Sequence, residues 1–247
     1  MHYITLIFIF IQLSLNAQSD NFLLNLDCDD FAQNISANKR MNVDLINLER
    51  YNSLKNDTLA KKKKILIENL ELTKSFEKNF PNKISKHCVN SKIYETDSIR
   101  DLSFCNDGYN IKLIEKKFNF YIFKLDAFEI DSYLLFDTKS QIIYAINNYP
   151  QIIKEGKIIL DFGYEYGGQN AFNFYFIEDK DISYFEYRIP NQYQIKDYKI
   201  LNSSTNNPKI LVHLIKYGYK EVPNKKELGK KYEYDKEKFC EKIIMFN

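Results

Sequence analysis

Short β-rich runs separated by polar turns fill residues 109–215, and this pattern limits the fold more than any other feature of the chain. Residues 133–136 and 141–146 are rich in Ile, Leu, Phe and Tyr, and the polar turn 137–140 lies between them. Two such runs joined by a few polar residues predict a β-hairpin. The same pattern recurs in three further runs, at 157–162, 171–177 and 182–189. We therefore expect residues 109–247 to form a mainly antiparallel β-meander.

The segment before the meander has the spacing of helices. Asp57 or Thr58 can cap a helix start, and Pro81 ends the pattern because it has no backbone N–H to donate. A shorter helix is predicted over residues 43–52, so that the two helices form a hairpin. The apolar positions of the longer helix, at spacings near three, four and seven, are Leu59, Leu66, Leu70, Phe76 and Phe80.

These patterns together predict an α+β fold, in which an N-terminal helical hairpin packs on a curled, mainly antiparallel β-meander. Residues 18–108 would be the helical and irregular segment and residues 109–247 the meander, within one structural unit. The succession of hairpins also resembles one or two blades of a propeller. A closed propeller needs at least four blades, which about 130 residues cannot supply.

The first residues have the pattern of a secretory signal peptide. An apolar run at 6–11 is followed by the small residue Ala17, which suits the cleavage position. The run is too short to span a bilayer as a helix. We expect residues 1–17 to be removed, leaving a secreted or periplasmic protein that starts near Gln18 and has no stable membrane anchor.

Four cysteines in an exported chain favour disulfide bonds, although four cysteines allow three connectivities. We predict Cys88–Cys105, because it closes the short polar segment 89–104, which has no clear secondary-structure pattern. Cys28–Cys240 would then join the N-terminal segment to the last strand. A zinc site is the alternative, but the sequence has no Cys-x-x-Cys pair.

Charge and composition exclude one class of partner and explain the aromatic content. The 35 Lys and Arg residues nearly balance the 33 Asp and Glu residues, which argues against a nucleic-acid binder with a large basic excess. The chain has 19 Tyr, 19 Phe and no Trp, together with much Asn, Lys and Ile. Codon usage in an AT-rich genome would produce the same bias, so the aromatic residues alone do not indicate a ligand.

The most distinctive local feature is the loop 163–170, which carries three of the seven glycines between two apolar strands. Glycine permits positive φ and close backbone approach, so a shaped loop is expected. It lacks the Gly-Lys-Ser/Thr ending of a phosphate loop. The alternative is a wide hairpin loop without a ligand. As candidate ligand-binding residues we select Tyr164, Glu165, Tyr166, Gln169 and Asn170.

Two histidines are further candidates for a functional role. His213 lies in the apolar run 210–215, where a hydrogen-bonded sheet residue is the usual role and a catalytic or ligand role is the alternative. His87 precedes Cys88, but adjacent residues rarely face each other, and a disulfide would consume the thiol.

The leading hypothesis is an exported, non-enzymatic protein that binds another protein or an envelope component. It is motivated by the abundance of Tyr, which suits interfaces, and by a sequence that assigns no catalytic residue, metal site or cofactor. One alternative is a cell-envelope hydrolase of saccharide or peptide that uses carboxylates near the 163–170 loop. Another alternative is a periplasmic inhibitor or immunity-type protein.

Overall fold

The fold is mainly β rather than α+β. The computed structural model of the protein describes residues 26, 28, 31, 34–56, 67–95, 98–164, 170–178, 181–205, 208–223 and 230–247. Of these residues, 63% lie in strands and 10% in helices. The strands form three separate sheets, so the prediction of a single curled meander is wrong.

We call the three sheets the first, middle and last sheets. Each is built mainly from strands that are close together in the sequence. The first sheet has, in spatial order, β4 (Ser98–Cys105), β3 (Cys88–Glu95), β8 (Ile142–Ile146), β7 (Ile130–Asp137), β6 (Phe120–Ala127) and β5 (Asn110–Lys117). The middle sheet has β1 (Asn34–Ala37), β12 (Asp181–Ile189), β11 (Asn170–Glu178), β10 (Ile158–Tyr164) and β9 (Gln151–Ile153). The last sheet has β13 (Gln194–Leu201), β14 (Lys209–Pro223), β15 (Lys230–Phe246) and β2 (Val43–Ile46). Neighbouring strands are antiparallel except β3 and β8, which are parallel.

The three sheets are stacked face to face, with the middle sheet buried on both faces. Tyr175 and Tyr184 pack toward Tyr144 of the first sheet. Phe174 and other aromatic residues of the opposite face pack on Phe246 of the last sheet. Because successive residues of a strand point to opposite faces, the nearly continuous apolar runs of β11 and β12 supply both cores at once.

Two short helices lie at opposite ends of the stack, so the predicted helical hairpin is wrong. The helix α1 (Leu48–Ser53) covers the outer face of the last sheet through Tyr51. The helix α2 (Leu70–Asn79) covers the outer face of the first sheet through Phe76. Residues 43–46, predicted to be helical, form β2, because pairing with β15 decides their conformation.

The predicted boundaries of α2 are partly correct. The helix ends at Asn79, two residues before Pro81. It begins later than predicted, where the Asn69 side chain accepts a hydrogen bond from the backbone N–H of Leu72. Asp57, Thr58, Leu59 and Leu66 lie outside the described residues.

Both predicted disulfides are present. Cys28–Cys240 joins the N-terminal segment to a buried position of β15. Cys88–Cys105 joins directly paired residues of β3 and β4. The segment 89–104 is therefore a hairpin and not the irregular segment expected from its polarity. Within the described ranges, no helix has the length and apolar character needed to cross a membrane.

The docking of α2 generates a prediction for stability. Phe76 is buried, and its ring makes edge contacts with Tyr121, Phe123 and Phe136. Phe76→Ala should lower the free energy of unfolding by about 3–5 kcal/mol, because it leaves a cavity and removes these contacts. Denaturant unfolding followed by circular dichroism measures the loss.

Phe128→Ala is the matched control for this substitution. Phe128 lies in the β6–β7 turn and is 88% exposed, so its loss should change the free energy of unfolding by less than about 0.5 kcal/mol. Equal effects of the two substitutions would show that α2 does not stabilise the first sheet.

Candidate functional site

The predicted loop connects β10 to β11 in the middle sheet. Tyr164 is the last residue of β10 and pairs with Asn170, the first residue of β11. Glu165, Tyr166 and Gln169 lie outside the described residues. The structure therefore locates the loop only through its two flanking strands, β10 and β11.

Next to the loop, three polar residues lie side by side on neighbouring strands of the middle sheet. Asp161, Asn173 and Glu186 are directly paired in register and are only 1%, 4% and 3% exposed. We call these three residues the polar ladder. They were missed as a group because each is a single polar residue inside an apolar run. Their recurrence at the paired position of three successive strands is the signal that could have identified them.

Hydrogen bonds satisfy the Asp161 end of the ladder. Its carboxylate accepts bonds from the backbone N–H groups of Asn147 and Asn148, each at 3.0 Å, and from Asn148 Nδ2 at 3.1 Å. Burial raises the pKa of Asp161, while these hydrogen bonds and one from Asn173 act in the opposite direction. The ladder thus fixes the chain that follows β8 against the middle sheet.

Gly163 completes this contact. Its φ is +146°, and a Cβ at this position would meet Asn148 Oδ1 at 2.6 Å. The absent side chain therefore lets the Asn148 amide lie against β10 beside Asp161.

Glu186 forms the other end of the ladder. The Tyr184 hydroxyl donates to Glu186 Oε2 at 2.7 Å and lies 2.9 Å from Asn173 Oδ1. Arg188 Nε donates to Glu186 Oε1, so the carboxylate is paired with a cation. Both ladder carboxylates are therefore buried and hydrogen-bonded to other described residues.

His213 does not join the loop. It lies on the outer face of the last sheet, where its ring meets the Tyr51 ring edge-on at 5.4 Å between centroids. Its Nε2 is 3.2 Å from Glu241 Oε1, without hydrogen-bond geometry to any described group. Burial lowers the pKa of His213, which favours the neutral ring.

The groups around His213 hold α1 on the sheet. The Tyr51 hydroxyl donates to Asp197 Oδ2 at 3.1 Å. Lys199 Nζ donates to the carbonyl oxygens of Tyr51 and Leu54, at 2.6 and 2.8 Å, and so caps the C-terminal end of the helix. His213 is thus a buried residue of the sheet, as expected, but its Nε2 lacks the hydrogen bond that this role usually includes.

A second candidate site is a two-stranded extension of the last sheet. Among the strands that the structure describes, β13 pairs with β14 only as far as Ile215, and β2 pairs with β15 only from Ile243. Beyond these points β14 and β15 continue as a hairpin to the pair Pro223–Lys230. We call residues 216–223 and 230–242 the arm.

The base of the arm is buried at Lys216 and Cys240, and Gln194 Nε2 of β13 donates to the Tyr234 hydroxyl at 3.1 Å. From Tyr219 to the pair Pro223–Lys230 the arm extends about 16 Å beyond this base, so its outer part projects from the sheet.

One face of the arm is aromatic. Tyr219 pairs with Tyr234 across the strands, with ring centroids 5.1 Å apart and planes 29° from parallel. Tyr217 packs against Tyr234 from the other side at 5.8 Å. Tyr219, Tyr232 and Tyr234 remain 37%, 45% and 47% exposed. We call Tyr217, Tyr219, Tyr232 and Tyr234 the tyrosine face.

The opposite face of the arm is charged. Lys231 Nζ lies 2.6 Å from Glu233 Oε1, and this lysine lowers the pKa of Glu233. Asp235 lies on the same face as Lys231 and Glu233, and the bulge that follows carries Lys236, Glu237 and Lys238, so the described part of β15 has charges of both signs. The arm is therefore amphipathic, and its aromatic side faces solvent.

The polar ladder generates a prediction about pH. The folded state holds the Asp161 proton at pH values where the unfolded chain, with an ordinary pKa of 3.8, has lost it. The contribution of Asp161 to stability should therefore fall as the pH rises from about 4 to the raised pKa of the folded state. The free energy of unfolding of the wild type should fall in this range relative to Asp161→Asn, measured by urea unfolding between pH 4 and 8.

Asp107→Asn is the control, because Asp107 is exposed. Its pH profile should follow that of the wild type. A wild-type advantage over Asp161→Asn that grows with pH would contradict the raised pKa.

The polar ladder, the groups around His213 and the tyrosine face differ in their exposure. The three ladder residues and His213 are buried, whereas Tyr219, Tyr232 and Tyr234 of the tyrosine face are exposed. No protein-family model, curated protein or solved structure matches this chain.

Proposed function

We propose that this is an exported, non-enzymatic protein that binds another protein through the tyrosine face. The observation that carries the proposal is the set of exposed tyrosines on one side of a projecting arm. Tyrosine offers a large apolar contact area with a polar tip and is enriched at the centres of protein interfaces.

The shape and charge of the arm favour a protein over other partners. A two-stranded ribbon presents a flat surface, whereas small molecules are usually bound in concave sites. The mixed charges of β15 lack the concentrated positive charge that nucleic-acid binding surfaces carry. Mixed charges beside an aromatic centre suit the polar rim of a protein interface.

The hydrolase hypothesis has less support. It needs two carboxylates that converge on an accessible substrate. Asp161 and Glu186, the carboxylates nearest the predicted loop in the described strands, are buried and hydrogen-bonded. An inhibitor or immunity-type protein would be one form of the proposed binding function.

A face-specific crosslinking experiment tests the binding function. A photoreactive amino acid at position 232, on the tyrosine face, should give a discrete protein adduct in the cells that make the protein. The same group at position 233, on the charged face, should not give this adduct. The adduct identifies a partner, which is then purified.

The affinity for that purified partner decides the proposal. The double substitution Tyr219→Ser/Tyr234→Ser should weaken binding at least about tenfold, since central interface tyrosines each contribute more than about 1 kcal/mol. Lys231→Gln/Glu233→Gln, on the charged face, should leave the affinity within about threefold, because exposed ion pairs contribute little. Isothermal titration calorimetry measures both. Equal binding by the two double variants would contradict the proposed function.

Export is proposed from the apolar N-terminal run together with the disulfides, which are typical of oxidising compartments. The protein recovered from the periplasm or the medium should begin at Gln18 on N-terminal sequencing. Its four cysteines should resist alkylation until a reductant is added. Free thiols, or a chain that retains Met1 and stays in the cytoplasm, would contradict export.

A further inference from the structure

A pocket of about 220 Å³ lies at one end of the interface between the middle and last sheets. Its floor is apolar and belongs to the core: Ile158, Phe174, Phe176 and Ile210 are all buried. Most pockets for drug-sized ligands measure about 300–1,000 Å³, so this one suits a smaller molecule.

The rim of the pocket is basic. Lys39 and Arg40 come from the connection between β1 and β2, and Lys154 and Lys157 come from the turn between β9 and β10. Glu178 is the one acidic residue among the lining residues. Four basic residues converge here although the whole chain has a formal charge of only +2.

The backbone that carries the first two basic residues is held in place. The N–H groups of Asn38 and Lys39 both donate to the carbonyl oxygen of Tyr184 at 3.1 Å. Asn42 and Asn247 exchange two backbone hydrogen bonds on the other side of Arg40. The connection between β1 and β2 is therefore fixed to the middle sheet at one end and to the last sheet at the other.

The turn that carries Lys154 and Lys157 is also held. The Lys154 N–H donates to Ser203 O at 3.0 Å, and the Lys157 N–H donates to Lys154 O at 3.1 Å. Lys154 and Glu155 have backbone φ values of +50° and +55°, which residues other than glycine rarely adopt. Such strained turns persist only where the surrounding structure fixes them, and they concentrate at binding sites.

Lys39 links the rim to the floor. Its Nζ lies 3.9 Å from the centroid of the Phe176 ring and 4.0 Å from Glu178 Oε1. A cation is thus already held over the apolar floor at the pocket mouth. A negative group bound at the rim would meet this cation while its apolar part contacts the phenylalanine rings.

We propose that this pocket binds a small amphiphilic carboxylate of about ten non-hydrogen atoms in all, with its apolar chain on the floor and its carboxylate at the basic rim. The four basic rim residues outnumber Glu178, so the rim attracts an anionic head group, and a carboxylate is the smallest such group for a pocket of this size. This site is separate from the tyrosine face and independent of the proposed partner.

Calorimetric titration with three probes tests the ligand class. Octanoate should bind with a dissociation constant below about 1 mM and should weaken as the NaCl concentration rises, because salt screens the rim charges. Octan-1-ol, which has the same chain without the charge, and acetate, which has the charge without the chain, should each bind at least about tenfold more weakly. Equal binding of octanoate and octan-1-ol, or of octanoate and acetate, would overturn the proposal.

Variants locate the binding to this pocket. Lys154→Gln/Lys157→Gln should weaken octanoate binding about tenfold or more, and Glu178→Gln should strengthen it, because removal of the competing carboxylate frees the rim. Lys236→Gln/Lys238→Gln on the arm removes the same charge elsewhere and should have no effect. Thermal unfolding verifies that each variant is folded. An equal loss from both lysine pairs, or weaker binding by Glu178→Gln, would overturn the assignment.

Discussion

The structure depends on burial of both faces of the middle sheet. A sheet with one apolar face needs one covering layer, but β11 and β12 place large apolar side chains on both faces and need two. The first and last sheets supply these layers, and α2 and α1 then cover parts of their outer faces. The architecture therefore follows from the composition of two adjacent strands.

A sheet buried in this way can include polar groups only when they are hydrogen-bonded to one another. The ladder meets this requirement by joining three strands to the chain after β8, and the Asn148 amide contacts β10 where Gly163 has no side chain. The buried polar ladder thus fixes the position of the chain that leads from the first sheet to the middle sheet. The tyrosine face differs because Tyr219, Tyr232 and Tyr234 are each more than a third exposed.

The sequence predicted local strand pairing and the disulfides, but its prediction of an α+β fold with a single meander was wrong. The hairpins of the first and middle sheets follow from their period of two, and the disulfides from an even number of cysteines in a chain expected to be exported. Residues 43–46 were assigned to a helix because the pairing that makes them a strand involves Ile243 to Phe246, about 200 positions away in the sequence. The arm was missed because its tyrosines lie beyond the region where the meander pattern was strongest. Neither the ladder nor the basic pocket is visible without the register that brings distant strands together.

The pairing of β2 with β15, reinforced by the bond from Cys28 to Cys240, has a consequence for how the chain acquires its structure. The N-terminal strands β1 and β2 have partners that are synthesised far later, so they must stay unpaired until β12 and β15 are available. Contacts between residues so distant in sequence make folding slow, because a large loop must close before its contacts stabilise it. The first sheet and strands β9 to β12 can pair as soon as their residues are made, whereas the last sheet cannot close before β15 is present. The bond between Cys28 and Cys240 can therefore form only late, and it joins two segments that are 212 residues apart.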